Sequence, residues 1–265
     1  MKKLLFLLLL TQFFVTPFLA HSQNNKYHLG SARVLAGNIY TLACFVSDNN
    51  NEWTRQEKFK IYQKLYNAQD WLKNQALKNE ITLNFEGGNF GFDKDIKLDY
   101  IDYGTGSGRE DINVLTTVFK KIGYTSNLNY YNWVLNNTNS QNTYVAIFVK
   151  GQGRSYSVAY TSELMDREKY FIECAVLYHQ YYGGLGLYEA TIAHEILHLF
   201  GAWDLYETFQ QTRENDELAK KMFPDTIMRR ITLNINDLYV DEVTAWLVGW
   251  NNIEKDWYEG FKPFR

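Results

Sequence analysis

Five residues within an eleven-residue run, HEILHLFGAWD, could do chemistry together: His194, Glu195, His198, Gly201 and Asp204. On a helix, residues four apart share a face, so His194 and His198 can aim two imidazoles at one metal ion. Glu195 lies about 100° round the axis, where its carboxylate can reach a water on that metal. Gly201 lets the backbone leave the helix through a left-handed residue, which is cheap only without a Cβ. Asp204, three residues on, can then swing back as a third ligand. Two imidazoles and one carboxylate suit zinc, and three protein ligands leave a position open for water. Glu195 is then the candidate general base, taking the water's proton and returning it to a leaving amine.

This constellation needs a helix fed by a strand, and the surrounding pattern supplies both. Residues 170–177 read as a strand, Gly183-Gly184-Leu185-Gly186 as a turn, and 187–200 as the helix that carries the histidines. Upstream, the apolar run over 39–46 reads as a buried strand ended by Asp48-Asn49-Asn50-Asn51. Thr54 and Glu57 make a capping box, and Ile61, Leu65, Ala68, Leu72 and Ala76 recur at helical spacing to about residue 78. Alternation over 81–85 and again over 96–100 predicts two half-buried strands with a Gly-rich turn between them. Ile112, Leu115, Phe119 and Ile122 mark a second amphipathic helix closed by Gly123, and the Asn-rich stretch 127–142 reads as a surface excursion. Residues 144–149 predict a central strand. Near the end, Asn236 caps a helix bearing Val240, Val243 and Leu247. The alternation of strands and helices implies an α/β (α+β) fold, a mixed twisted sheet of about five strands with long helices against it.

The extended motif resembles that of the metzincin zinc endopeptidases, H-E-x-x-H-x-x-G-x-x-H, in the form that ends in Asp. Phe223-Pro224-Asp225-Thr226-Ile227-Met228 is similar to the Met-turn those enzymes place beneath the zinc, with Met228 rather than Met222 in the matching context. The Asp ligand resembles snapalysin-like peptidases, and Asp204-Leu205-Tyr206 is similar to immune-inhibitor-A-like ones. The resemblance implies a zincin fold with the zinc helix at a cleft. An upper subdomain would span about 36–201, and a small, mostly helical lower one about 202–265. It further implies a tyrosine at the developing oxyanion, for which Tyr206 and Tyr239 are candidates. It points to the strand over 170–177 as the edge that pairs with extended substrate. Arg229-Arg230, just after the turn, could favour an acidic side chain. His28 and His179 have no helical relation to the motif and are weaker ligand candidates.

Met1-Lys2-Lys3 followed by the apolar run 4–19 reads as a secretory signal peptide cleaved after Ser22, with an uncleaved anchor as the alternative. That assigns 1–22 to the leader and 23–265 to one catalytic domain, secreted into an extracellular or periplasmic space. A formal charge of −3 argues against nucleic acid or an anionic membrane surface as partner. No stable membrane insertion is expected once the leader is gone, and a monomer acting on protein or peptide substrates is the expectation. Cys44 and Cys174, the only cysteines, are buried thiols or one bridge. Two rival functions stand beside a zinc endopeptidase: a zinc amidase or peptidase acting on cell-wall peptides, and a non-catalytic binding protein on a peptidase scaffold. The intact Glu195 argues against the last.

Overall fold

The computed structural model describes residues 29–48, 50–98, 111–208 and 210–263. The expected signal segment 1–22 and His28 lie outside them. Strand β1 (Gly37–Ser47) is buried from Ile39 onward, because helices cover both of its faces. Ile39, Ala43 and Phe45 share a core with α1 (Arg55–Leu77) and α5 (Glu189–Leu199). The alternate residues Tyr40, Leu42, Cys44 and Val46 pack on the opposite side with α2 (Asp111–Ile122) and α3 (Asn127–Asn137).

Among the described residues the sheet has six strands. Around β1 stand β2 (Leu83–Phe90), β4 (Asn142–Gln152), β6 (Cys174–Gln180) and β5 (Tyr156–Val158), in the order β2-β1-β4-β6-β5, while the short β3 (Ile96–Lys97) pairs with the end of β1. All pairings are parallel except β5 with β6. The result is a mixed α/β fold, close to the expected sheet with one two-residue strand added.

Several expectations are corrected. The strand over 170–177 is internal, and the edge is β5; residues Arg167–Tyr170 form a short helix, α4, instead. The Gly-rich turn between the two strands begins later than expected: β2 runs through Gly87, where a Cβ would stand 2.2 Å from the Thr41 carbonyl oxygen, and the chain bends only at Gly91, whose φ is +83°. The Asn-rich stretch contains helix α3, capped by the Ser126 side chain and anchored by buried Tyr130 and Val134. Near the C-terminus, Asn236 sits in a 3-10 turn (Ile235–Asp237), and the helix α7 (Glu242–Leu247) is capped by Asp241. A helix no periodicity announced, α6 (Arg213–Met222), precedes the Met228 turn. Cys44 and Cys174 are buried in the core and form no disulfide, and burial, then Cys174, pushes the Cys44 thiol well up.

The site depends on how α5 is held. Its apolar residues Ile192, Ala193, Ile196, Leu197 and Leu199 are buried in the core that also takes α1. At its start Lys64 Nζ donates to the Leu187 carbonyl, and Asn67 Nδ2 donates to Glu189 Oε1 at 2.6 Å. The same core continues through Ile227, Met228, Leu238, Val243 and Trp250, so the helix is packed from both sides. Among the described residues, no helix is long and apolar enough to cross a membrane.

Candidate metal centre

The helix delivers both imidazoles as the spacing requires. His194 and His198 stand on one face, with Nε2 atoms 3.0 Å apart. After Leu199 the chain turns at Gly201, whose φ of +107° belongs to glycine, and Ala202 N closes the end by donating to the Leu197 carbonyl. This return brings Asp204 Oδ1 to 3.3 Å from His194 Nε2 and 3.1 Å from His198 Nε2. Among the described residues this is the one group of three donors close enough to hold a metal ion. His179 is elsewhere, edge-on to Trp53, with burial and then Lys150 lowering its basicity.

The far side of each ring fixes what the near side offers. His194 Nδ1 lies 2.9 Å from the Ile227 carbonyl and His198 Nδ1 2.8 Å from the Ala202 carbonyl. A carbonyl only accepts, so each Nδ1 carries the hydrogen and each Nε2 presents a lone pair. Two lone pairs and a carboxylate oxygen therefore converge, and Asp204 Oδ1 is buried with no donor. Such an arrangement is repulsive without a cation. A tetrahedral ion with bonds of ~2.0–2.1 Å has ligand–ligand edges of about 3.3 Å, which the measured separations approach. The residues thus fit a divalent metal such as zinc. Lacking one, the site attracts a proton. Burial opposes charge on His198, but Asp204, Glu195 and the Ala202 carbonyl raise it to about 9. Burial likewise opposes the Asp204 carboxylate, yet His198 and His194 hold it far below the usual range.

The turn that bears Met228 lies directly behind the first ligand, since Ile227 supplies the carbonyl for His194. Met228 is fully buried, and its own carbonyl accepts from Leu205 N at 2.9 Å, tying the turn to the residue after Asp204. Asp241 supports the turn from below. It accepts from Thr226 Oγ1 at 2.5 Å and Thr244 Oγ1 at 2.6 Å with one oxygen, and from the amides of Val243 and Thr244 with the other.

Glu195, only 6 % exposed, is oriented by a residue no motif marks. Ser157 Oγ, on the edge strand β5, lies 2.7 Å from Glu195 Oε2 and 2.8 Å from its carbonyl oxygen. Tyr206 comes to the centre: its ring lies 6.4 Å from that of His194, and Arg154 Nη2 donates to its hydroxyl at 3.2 Å. Burial, then Asp204, raises the Tyr206 hydroxyl far above its ordinary pKa, so it stays a donor. Tyr239 plays another part. Its backbone pairs with the turn through Ile227 N and Asp225 O, its ring packs on the core, and the charges acting on it are Asp241 and Asp225. Arg229 and Arg230 are engaged by Asp216 at 3.1 Å and Asp225 at 2.7 Å. The sequence marks neither Ser157 nor Arg154, because three residues of half-buried strand carry no readable period and Arg154 stands in the connection before them.

Fold and site together define a mixed α/β protein in which two helix-borne histidines and Asp204 form a group that could hold a metal ion. No family model matches the chain, and no curated protein matches it.

Proposed function

We propose that this chain is a zinc-dependent endopeptidase of metzincin type, secreted after loss of residues 1–22 and acting as a monomer on protein or peptide substrates. The observation that carries the reading is the convergence of two imidazole Nε2 atoms and one carboxylate oxygen at 3.0–3.3 Å beside a buried glutamate. A zinc ion there would supply Lewis acidity, polarising a carbonyl and lowering the pKa of a water toward ~7.

The chain's own residues account for the rest of the hydrolysis. Glu195 accepts the attacking water's proton on its carboxylate and hands it to the leaving amine. Ser157 limits the rotamers of that carboxylate. The Tyr206 hydroxyl, whose oxygen already accepts from Arg154, has its hydrogen free to meet the oxygen that becomes negative as the amide is attacked. Asp204 adds negative charge that three imidazoles would not, which moderates the metal's acidity. The apolar leader supports export, and the backbone of the short edge strand β5 supports pairing with an extended peptide.

The test is cleavage of unfolded protein and a peptide library by the zinc-loaded chain, beside Glu195→Ala and a chelated control. Cleavage lost in both controls is expected. Loaded wild-type protein that cleaves nothing, or cleavage untouched by Glu195→Ala, contradicts the reading.

A further inference from the structure

Among the described residues, one cation at the centre, Arg154, has no carboxylate within ion-pair distance. Arg154 stands in the connection between β4 and β5, whose backbone is fixed on both sides: Gly153 N donates to the Gln180 carbonyl at 2.9 Å and Tyr178 N donates to Ser155 Oγ at 3.2 Å. A Cβ at Gly153 would stand 2.7 Å from the Tyr178 ring, so the connection is pressed against β6. From there the guanidinium reaches across to Tyr206, using one of its five N–H donors. The charges of Asp204 and Glu195 act on it, yet neither lies within ion-pair distance, and no other described carboxylate does. No other hydrogen bond of the guanidinium is made among the described residues, and Arg154 is exposed. Arg229 and Arg230, by contrast, are already paired.

The charge balance gives this a direction. Asp204 and Glu195 bring two negative charges, both histidines are neutral when they act as ligands, and a divalent ion cancels the carboxylates. Arg154 is then left over, and a site with an unbalanced cation favours an anionic group. A planar fork with several free N–H groups matches a carboxylate better than any other common peptide group.

We propose that Arg154 is a specificity-determining residue of this centre and binds a carboxylate that the substrate carries close to the scissile amide. The proposal rests on the peptidase reading above. Two sources share that chemistry, an acidic side chain and a free C-terminus.

The experiment uses the zinc-loaded full chain bearing Glu195→Ala, which binds without turnover, and measures peptide affinity by calorimetry. Paired peptides carry Glu or Gln at each of several positions, and a free or amidated C-terminus. One acidic member should bind roughly tenfold or more tighter than its neutral partner, and adding Arg154→Gln should erase the difference. Preference in the side-chain pairs identifies an acidic residue, and preference in the terminal pair identifies the C-terminus. Arg154→Lys, which keeps the charge but not the fork, should retain part of the preference. Equal binding of all pairs, or a preference that survives Arg154→Gln, overturns the proposal. So does an equal loss for neutral and acidic peptides, which would mean a general role. Acidic discrimination by a wild-type chain that cleaves nothing would uphold the inference while removing the peptidase reading.

Discussion

Glu173, just before β6, gives the chain a pH dependence that can be worked from the structure. Its side chain is fully buried, with Ala32 N donating to Oε2 at 2.7 Å and Tyr160 N to Oε1 at 2.8 Å. Gly30 packs so closely that a Cβ would fall 2.3 Å from the carboxyl carbon. Burial outweighs both amide bonds and the charge of Arg33, raising Glu173 from 4.5 to about 8. The unfolded chain therefore gives up this proton near pH 4.5, while the folded chain keeps it until about pH 8. The associated stability is complete below the lower value and is lost as pH rises through the upper one. At 1.36 kcal/mol per pH unit the loss amounts to roughly 4–5 kcal/mol. Glu173→Gln removes the titration, but its amide nitrogen cannot accept from one of the two backbone N–H groups, so the variant carries a cost that does not depend on pH. Urea unfolding from pH 4.5 to above pH 8 should show the stability difference moving by about 4 kcal/mol in the variant's favour. A difference that does not vary with pH, or one that moves in favour of wild type as pH rises, would refute the reasoning by showing that the amides outweigh burial.

Other consequences concern the centre itself. Ser157→Ala frees the Glu195 carboxylate and should lower kcat about tenfold with KM and zinc content unchanged; steady-state kinetics with metal analysis reads this, and an unchanged kcat counts against it. Asp241→Ala removes four hydrogen bonds beneath the Met228 turn. It should cost about 3 kcal/mol or more in urea unfolding and weaken zinc binding about tenfold, whereas normal zinc affinity in a destabilised variant would separate the turn from the metal. Because His198 stands at about 9 without metal, a proton competes with zinc. Apparent zinc affinity, measured against a chelator, should climb about tenfold per pH unit below that value and level off above it, and a flat profile would exclude His198 as ligand.

The candidate metal ligands were legible because their geometry is local. A four-residue interval on a helix, a glycine and a three-residue return need no knowledge of distant chain. The Met228 turn was legible by its resemblance, although its physical role, a carbonyl for His194, joins residues 33 apart. Ser157 reaches Glu195 from 38 residues upstream, on a strand too short to alternate. Misplacing the sheet edge had the same origin: β6 is apolar because it is internal, and the true edge is three half-buried residues. Helix α3 was obscured by asparagines that favour turns, and only Tyr130 and Val134, packing beneath the sheet, decide for helix. In α6 a single buried residue, Ala219, leaves no apolar stripe to read.

The proposed chemistry requires His194, His198 and Asp204 together to hold one zinc ion. The most direct measurement is the zinc affinity of the metal-free chain, by chelator competition, for wild type and Asp204→Ala. One tightly bound ion per chain is expected, with a loss of more than about a hundredfold in the variant and the fold intact by circular dichroism. Equal affinity in the two proteins, or no stoichiometric binding by wild type, would contradict it.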